Sequence, residues 1–195
     1  MGSLKASQAF LRSNARVGDD IYVSGTLGDA RLALRALSGE LNLPSLEFSF
    51  CEQRLLNPTP RVALGLALHG LVSCALDVSD GLMGDLRHIL AASKVGATLD
   101  TDALLSCIKT PLSVFSAPLD ALETVLVGGD DYELLFTAAP HDAHLVKEAS
   151  IQSATPVTRI GTITEDLKLT LTGSFQDFSL NNVASFNHFR SESPS

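Results

Sequence analysis

Residues 72–90 read Val72–Ser73–Cys74–Ala75–Leu76–Asp77–Val78–Ser79–Asp80–Gly81–Leu82–Met83–Gly84–Asp85–Leu86–Arg87–His88–Ile89–Leu90. The run Val72–Val78 is mostly apolar with β-branched residues at its ends, which predicts a strand. From Leu82 onward the apolar residues Leu82, Leu86, Ile89 and Leu90 recur at the spacing of one helix face. Strand, acidic turn and amphipathic helix follow each other without a linker. That unit builds sheets with helices packed on them.

The same alternation extends in both directions. Upstream, Ile21–Tyr22–Val23 predicts a short strand ending at Ser24–Gly25, and a helix follows over Asp29–Leu37. Ser38–Gly39 stops it, a second helix is expected over Glu47–Leu56, and Pro58 and Pro60 end that one because neither can continue a helix. A third helix is expected from Pro60 to His69. Downstream, strands are expected at Ala97–Leu99 and Tyr132–Thr137, with helices at Leu119–Leu126 and His141–Ser150. Val157–Ile163 and Leu167–Leu171 then read as two strands separated by Thr164–Glu165–Asp166, a hairpin-like interval. Early alternation with late local pairing predicts an α/β (α+β) fold, a mixed sheet with helices packed on it. No internal repeat and no linker divides the chain.

Composition narrows the class. With 195 residues, 45% of them hydrophobic and 18% charged, the chain can bury one sizeable core or two small lobes and is too apolar to stay unfolded. Its formal charge of -8 comes without any Lys/Arg block, which argues against nucleic acid and against an anionic membrane surface, since phosphate neutralisation needs clustered cations. No apolar run is long enough to span a bilayer, and Met1–Gly2–Ser3 lacks the basic-then-apolar pattern of a signal peptide. The expectation is a soluble, cytoplasmic protein. Cys51, Cys74 and Cys107 are odd in number and widely spaced, so they predict buried thiols rather than a disulfide framework or a metal knuckle.

Familiar catalytic signatures are missing: no phosphate loop of the G-x-x-x-x-G-K-[ST] type, no H-E-x-x-H helix, no G-x-G-x-x-G turn and no G-x-S-x-G elbow. Chemistry must rest elsewhere, and Asp77–Val78–Ser79–Asp80–Gly81 is the densest candidate. Two carboxylates three residues apart across a strand-to-helix turn can converge on a hard cation, Mg²⁺ or Mn²⁺, which takes oxygen ligands and keeps waters and phosphates in its shell. Ser79 between them can offer a hydroxyl and an N–H to a phosphate. The competing reading is that Ser79 or Asp80 caps the helix; it leaves Asp77 unexplained, and the two stand about even. A second cluster, Gly128–Gly129–Asp130–Asp131–Tyr132–Glu133, has three acids that repel one another unless a cation, a positive ligand or arginines neutralise them. By itself it reads as a solvated loop before a strand. Ser24–Gly25–Thr26–Leu27–Gly28–Asp29 is a third glycine-bearing turn, of the kind that exposes N–H groups to anions. The five histidines show no metal-ligand spacing, and His141 and His144 read as surface residues.

Taken in order, Gly18–Asp19 with Ile21 to Asp29, Pro58–Thr59–Pro60–Arg61, Asp77 to Leu82, Gly128 to Leu134 and Phe186–Asn187–His188–Phe189 resemble the C-terminal portion of thiamine-monophosphate kinases. These belong to the aminoimidazole ribonucleotide synthetase-like superfamily of ATP users without a P-loop. The resemblance implies phosphoryl transfer from ATP to thiamine monophosphate, giving thiamine diphosphate, with Mg²⁺. It matches Asp77 and Asp80 to metal-binding aspartates and Ser79 and Arg12 to ATP contacts. Asp130, often Glu in the family, and Phe189 are matched to thiamine phosphate contacts, and no residue is assigned a catalytic role. An acid suits a thiazolium cation and an aromatic face suits flat rings. The resemblance also implies a full-length homodimer and an N-terminal domain missing from this chain. The expected division is a lead-in over 1–16, with 1–3 vector-derived, a domain over 17–189 and a loose tail over 190–195. On this reading the chain alone is inactive. The alternatives are a non-catalytic nucleotide-binding or assembly module of the same fold, or a related ATP-using enzyme with another acceptor.

Overall fold

In a computed structural model that describes residues 9–72 and 74–180, the elements run β1 (Asp20–Ser24), α1 (Asp29–Leu37), α2 (Ser45–Leu56), α3 (Val62–Ala67), β2 (Cys74–Val78), α4 (Leu82–Ser93), β3 (Gly96–Asp100), α5 (Thr101–Ser106), α6 (Pro118–Val127), β4 (Glu133–Ala138), α7 (Ala143–Gln152), β5 (Val157–Thr164) and β6 (Leu169–Thr172). The strands form one six-stranded sheet in the order β2-β4-β1-β5-β3-β6. Neighbours pair antiparallel except β3 with β6, which is parallel. The expected mixed sheet covered by helices is what forms.

Side-chain alternation splits the core between the two faces of the sheet. Ile21, Val23, Val78 and Leu135 join one large cluster with Leu32 of α1, Cys51 of α2, Leu82, Leu86 and Ile89 of α4, Leu104 of α5 and Leu122 and Val125 of α6. Tyr22, Phe136 and Ala138 point the other way, into a smaller cluster with Leu64 of α3 and Val146 and Ala149 of α7. Tyr22 and Phe136 are cross-strand partners, and their rings stack at 5.4 Å between centroids. Such a pair adds about 0.5–1.5 kcal/mol beyond the area it buries.

Two local expectations are corrected. The late strands do not form a hairpin: β3 lies between β5 and β6, pairing with one antiparallel and the other parallel. Ala97 and Leu99 of β3 are fully buried, whereas β6 carries exposed Thr170 and Thr172, so the more apolar strand takes the inner place and the polar one the edge. The short connection crosses the start of β3, where a side chain on Gly96 would collide with the Asp166 and Lys168 carbonyls. The second correction is α5, which the sequence reading did not anticipate. Asp100 ends β3 and caps α5, accepting the N–H groups of Asp102 and Ala103.

The candidate site at one end of the sheet

β1 and β2 both run antiparallel to β4, which lies between them. The carboxyl ends of β1 and β2 and the amino end of β4 therefore share one edge of the sheet, and the three turns singled out in the sequence meet there. The Asp130 N–H donates to the Ser79 carbonyl at 2.9 Å and the Tyr132 N–H to the Val78 carbonyl at 2.9 Å, so the two acidic segments lie side by side. Gly129 permits the approach: a Cβ on it would sit 2.6 Å from the Ser79 carbonyl oxygen.

The turn after β2 is held without the side chains of Ser79 and Asp80. The N-cap of α4 is Gly81, with φ 98° and no side-chain cap. Asp85, buried in the first turn of α4, reaches back to accept the N–H groups of Ser79 at 2.9 Å and Asp80 at 3.0 Å. The capping reading of Ser79 or Asp80 is thereby overturned. Burial pushes the Asp85 carboxyl above its ordinary range; the two N–H groups oppose that, and the charges of Asp80 and Asp77 add to it. Asp77 is exposed, Ser79 and Asp80 are half-buried, and among the described residues their side chains make no ion pair with one another or with any cation.

The second cluster divides into structural and free members, and the solvated-loop reading fails for two of its three acids. Glu133 is 0% exposed. It accepts from Ser24 Oγ at 2.5 Å, Arg54 Nη2 at 2.6 Å, and Arg61 Nε and Nη2 at 2.7 and 2.5 Å. These hydrogen bonds raise the Arg61 guanidinium further above its ordinary value. The arginines thus neutralise the buried acid, which gives the Pro58–Thr59–Pro60–Arg61 segment its role. Asp131, also buried, accepts the N–H groups of Gly28 at 2.6 Å and Ala30 at 3.3 Å. The turn after β1 therefore offers its N–H groups to an anion, and the anion is this carboxylate. Desolvation pushes Asp131 up to about 7, with the Gly28 N–H acting against it.

Asp130 and Tyr132 are left over. Both adopt positive φ, 63° and 51°, conformations that L side chains other than Asn and Asp rarely take. Asp130 is half-buried, and the exposed Tyr132 donates from its hydroxyl to Asp130 Oδ1 at 3.3 Å. The charge of Asp130 first, then burial, pushes the phenol upward, and Asp77 and Asp80 add to this from across the gap. Asp77, Asp80, Asp130 and Tyr132 thus share one electrostatic neighbourhood. No group of three or more His, Cys, Asp or Glu among the described residues could hold a metal ion by itself.

The remaining expected site residues lie elsewhere. Arg12 is exposed, and its carbonyl accepts from Ser93 Oγ at the C-terminal end of α4. Asp77, Ser79 and Asp80 flank the other end of that helix, whose 12 residues span about 18 Å. The fold does not bring Arg12 to them. Phe189 falls outside the described residues. The three cysteines are free and buried, and desolvation raises all three thiols, Cys51 to about 11 and Cys107 to about 12. His141 and His144 are exposed. Sequence reasoning missed Asp85 and Arg54, whose only signals are an acid in a first helical turn and a cation in a last one.

A family model described as AIR synthase related protein, C-terminal domain, matches residues 16–174. The thiamine-monophosphate kinase of Salmonella typhimurium is 39% identical over 168 residues, which are 86% of this chain and 51% of that protein. The crystal structure of thiamine-monophosphate kinase from Stenotrophomonas maltophilia K279a superposes with a TM-score of 0.79 at 43% identity, covering 87% of this chain and 55% of that one. AaThiL complexed with AMPPCP and TMP gives a TM-score of 0.63 at 30% identity over 82% of this chain and 49% of its own. The chain spans about half the length of the curated relatives it matches. The sequence match over most of its length and the shared sheet place this chain in the family of AIR synthase related proteins, as their C-terminal domain.

Proposed function

We propose that this chain is the C-terminal half of a thiamine-monophosphate kinase, a cytoplasmic homodimer when complete, which transfers the terminal phosphoryl group of ATP to the phosphate of thiamine monophosphate. The observation that carries this reading is the meeting of the turns after β1 and β2 with the turn before β4, which leaves Asp77 exposed and Ser79, Asp80 and Asp130 half-buried on two segments joined by backbone hydrogen bonds. The kinases it resembles, one of them complexed with AMPPCP and TMP, support the substrate assignment. No helix among the described residues is long and apolar enough to cross a membrane.

In the proposed reaction an oxygen of the thiamine phosphate attacks the γ-phosphorus of ATP, the bond to the β,γ-bridging oxygen breaks, and ADP leaves with that electron pair. The protein's share is positioning and neutralisation of charge. Asp77 and Asp80 fit a magnesium ion: they are hard oxygen donors at the end of one strand, with no cationic partner among the described residues. Two carboxylates cannot fill an octahedral shell, so phosphate oxygens, waters and acids of the N-terminal half would supply the remaining ligands. Bound there, the ion supplies charge neutralisation at the phosphates. Ser79 serves the nucleotide, and Asp130 offsets the thiazolium charge. Phe189, outside the described residues, is assigned to the same substrate by the family resemblance. Arg12, at the far end of α4, serves as a nucleotide contact only where the ATP comes to it from another part of the complete enzyme.

The test uses the complete kinase that carries this chain. It should form thiamine diphosphate and ADP, whereas the 195-residue chain alone should show no turnover. Asp77→Asn or Asp80→Asn should lower turnover by on the order of 100-fold or more with little change in melting temperature. Asp130→Asn and Phe189→Ala should raise KM for thiamine monophosphate and spare that for ATP, with Ser79→Ala doing the reverse. A complete wild-type protein that hydrolyses or transfers from ATP but makes no thiamine diphosphate would remove the acceptor assignment.

A further inference from the structure

Within Gly128–Glu133, five of six residues have a stated reason to be what they are. Gly128 and Gly129 lie against backbone, Asp131 ties down the start of α1, Glu133 anchors two arginines, and Asp130 is the proposed thiazolium partner. Tyr132 has none from the fold. The residue is 42% exposed, and among the described residues no other ring stacks on it and no lysine or arginine lies over it. Its backbone sits at φ 51°, where a bulky side chain is strained and glycine is not. The chain thus places a large aromatic residue in a strained conformation and forgoes burying it.

What the ring meets is the open edge of the site. Its hydroxyl donates to Asp130, and Asp77 and Asp80 are near enough for their charges to act on the phenol. The backbone of Tyr132 is thus bonded to the strand end between Asp77 and Ser79, through its N–H to the Val78 carbonyl at 2.9 Å, and its hydroxyl to Asp130. We propose that Tyr132 is a substrate-recognition residue of this site, whose exposed ring face receives the positively charged heterocycle of thiamine monophosphate while its hydroxyl fixes the Asp130 carboxylate. An aromatic face next to a carboxylate attracts a flat organic cation twice, through the ring quadrupole and through the charge, and neither attraction acts on a triphosphate. Tyr132 therefore discriminates for the acceptor and leaves ATP alone. This rests on the kinase reading above.

The strain makes the test sharp, because a glycine relieves it. Tyr132→Gly and Tyr132→Phe would be made in the complete kinase, and KM for each substrate measured with the other saturating, beside thermal melts. Tyr132→Gly is expected to raise KM for thiamine monophosphate by on the order of 10-fold and to leave KM for ATP within about twofold, the scale of a desolvated cation–π contact. Its melting temperature should stay level or rise. Tyr132→Phe keeps the ring and should restore KM for thiamine monophosphate to within about threefold of wild type. A residue that merely packs the turn would give the opposite, a lowered melting temperature with both constants unchanged or raised together, and either result overturns the proposal. If the wild-type kinase is active on thiamine monophosphate and Tyr132→Gly binds it normally, only this inference falls. If the wild type does not use thiamine monophosphate at all, the kinase reading falls first and this one with it.

Discussion

Replacing Glu133 by Gln tests whether the site edge is held by a buried ion cluster. The side chain is 0% exposed and accepts four hydrogen bonds, one from Ser24 Oγ, one from Arg54 and two from Arg61. The two guanidinium groups are themselves largely covered, at 10% and 18% side-chain exposure, so solvent cannot take over from the carboxylate. Glutamine keeps one acceptor oxygen but turns an N–H₂ group toward an arginine, leaving Arg61 facing a neutral partner and Arg54 with Asp29, at 3.5 Å, as its one remaining carboxylate among the described residues. Breaking a buried pair from one side costs about 3–5 kcal/mol, because the surviving charge stays desolvated. At roughly 2–4 °C per kcal/mol for a chain of this size, the melting temperature should fall by about 6–20 °C. Urea unfolding of wild type, Glu133→Gln, Arg61→Gln and the double variant would measure it. The double variant should be less destabilised than the sum of the singles, by about 0.5–3 kcal/mol of coupling. Glu133→Gln within about 0.5 kcal/mol of wild type, or strict additivity, would refute the claim that this carboxylate organises the turn.

Three further outcomes follow from the same geometry. Asp131 binds its proton up to about 7 in the folded chain against an ordinary 3.8, so the folded state holds more protons than the unfolded one between those values and stability is lost as pH rises through that window. Stability should be greater near pH 5 than near pH 8 by roughly 2–3 kcal/mol, with a correspondingly higher melting temperature, and Asp131→Asn should remove most of the slope; an unchanged slope counts against a perturbed Asp131. Gly129→Ala pushes a methyl group to 2.6 Å from the Ser79 carbonyl oxygen and should cost about 1–3 kcal/mol while also raising KM for thiamine monophosphate in the complete kinase. Cys51, Cys74 and Cys107 are buried with raised thiols, so a thiol-specific reagent should label none of them in the native chain and all three in denaturant, and rapid labelling of the native protein would contradict their placement.

The sequence by itself determined most of the elements and the chemistry of the turns. Local pattern is enough to place β1, α1 and α4, because their apolar spacing answers to one strand or helix face, and Pro58 and Pro60 end α2 whatever surrounds them. The sequence also singled out Asp77, Ser79, Asp80 and Asp130 as candidates, but local pattern left a helix-capping reading about even for the first turn and a solvated loop as the simpler reading of the second. Tertiary structure decided what those local patterns cannot encode. Which strand lies beside which depends on the relative burial of β3 and β6, so the expected hairpin gave way to a parallel edge pair. Which acid is free and which is buried depends on partners 72 to 103 residues away in the chain: Arg61 and Arg54 take Glu133, and the Gly28 amide takes Asp131. Capping was decided the same way, because Asp85 reaches back across α4's first turn to accept the Ser79 and Asp80 N–H groups and leaves their side chains uncommitted to a cap. Charge pairing between distant segments leaves no periodic trace in a sequence, and it is that pairing which separates the buried acids, Asp131 and Glu133, from Asp77, Asp80 and Asp130, which stay at least partly exposed.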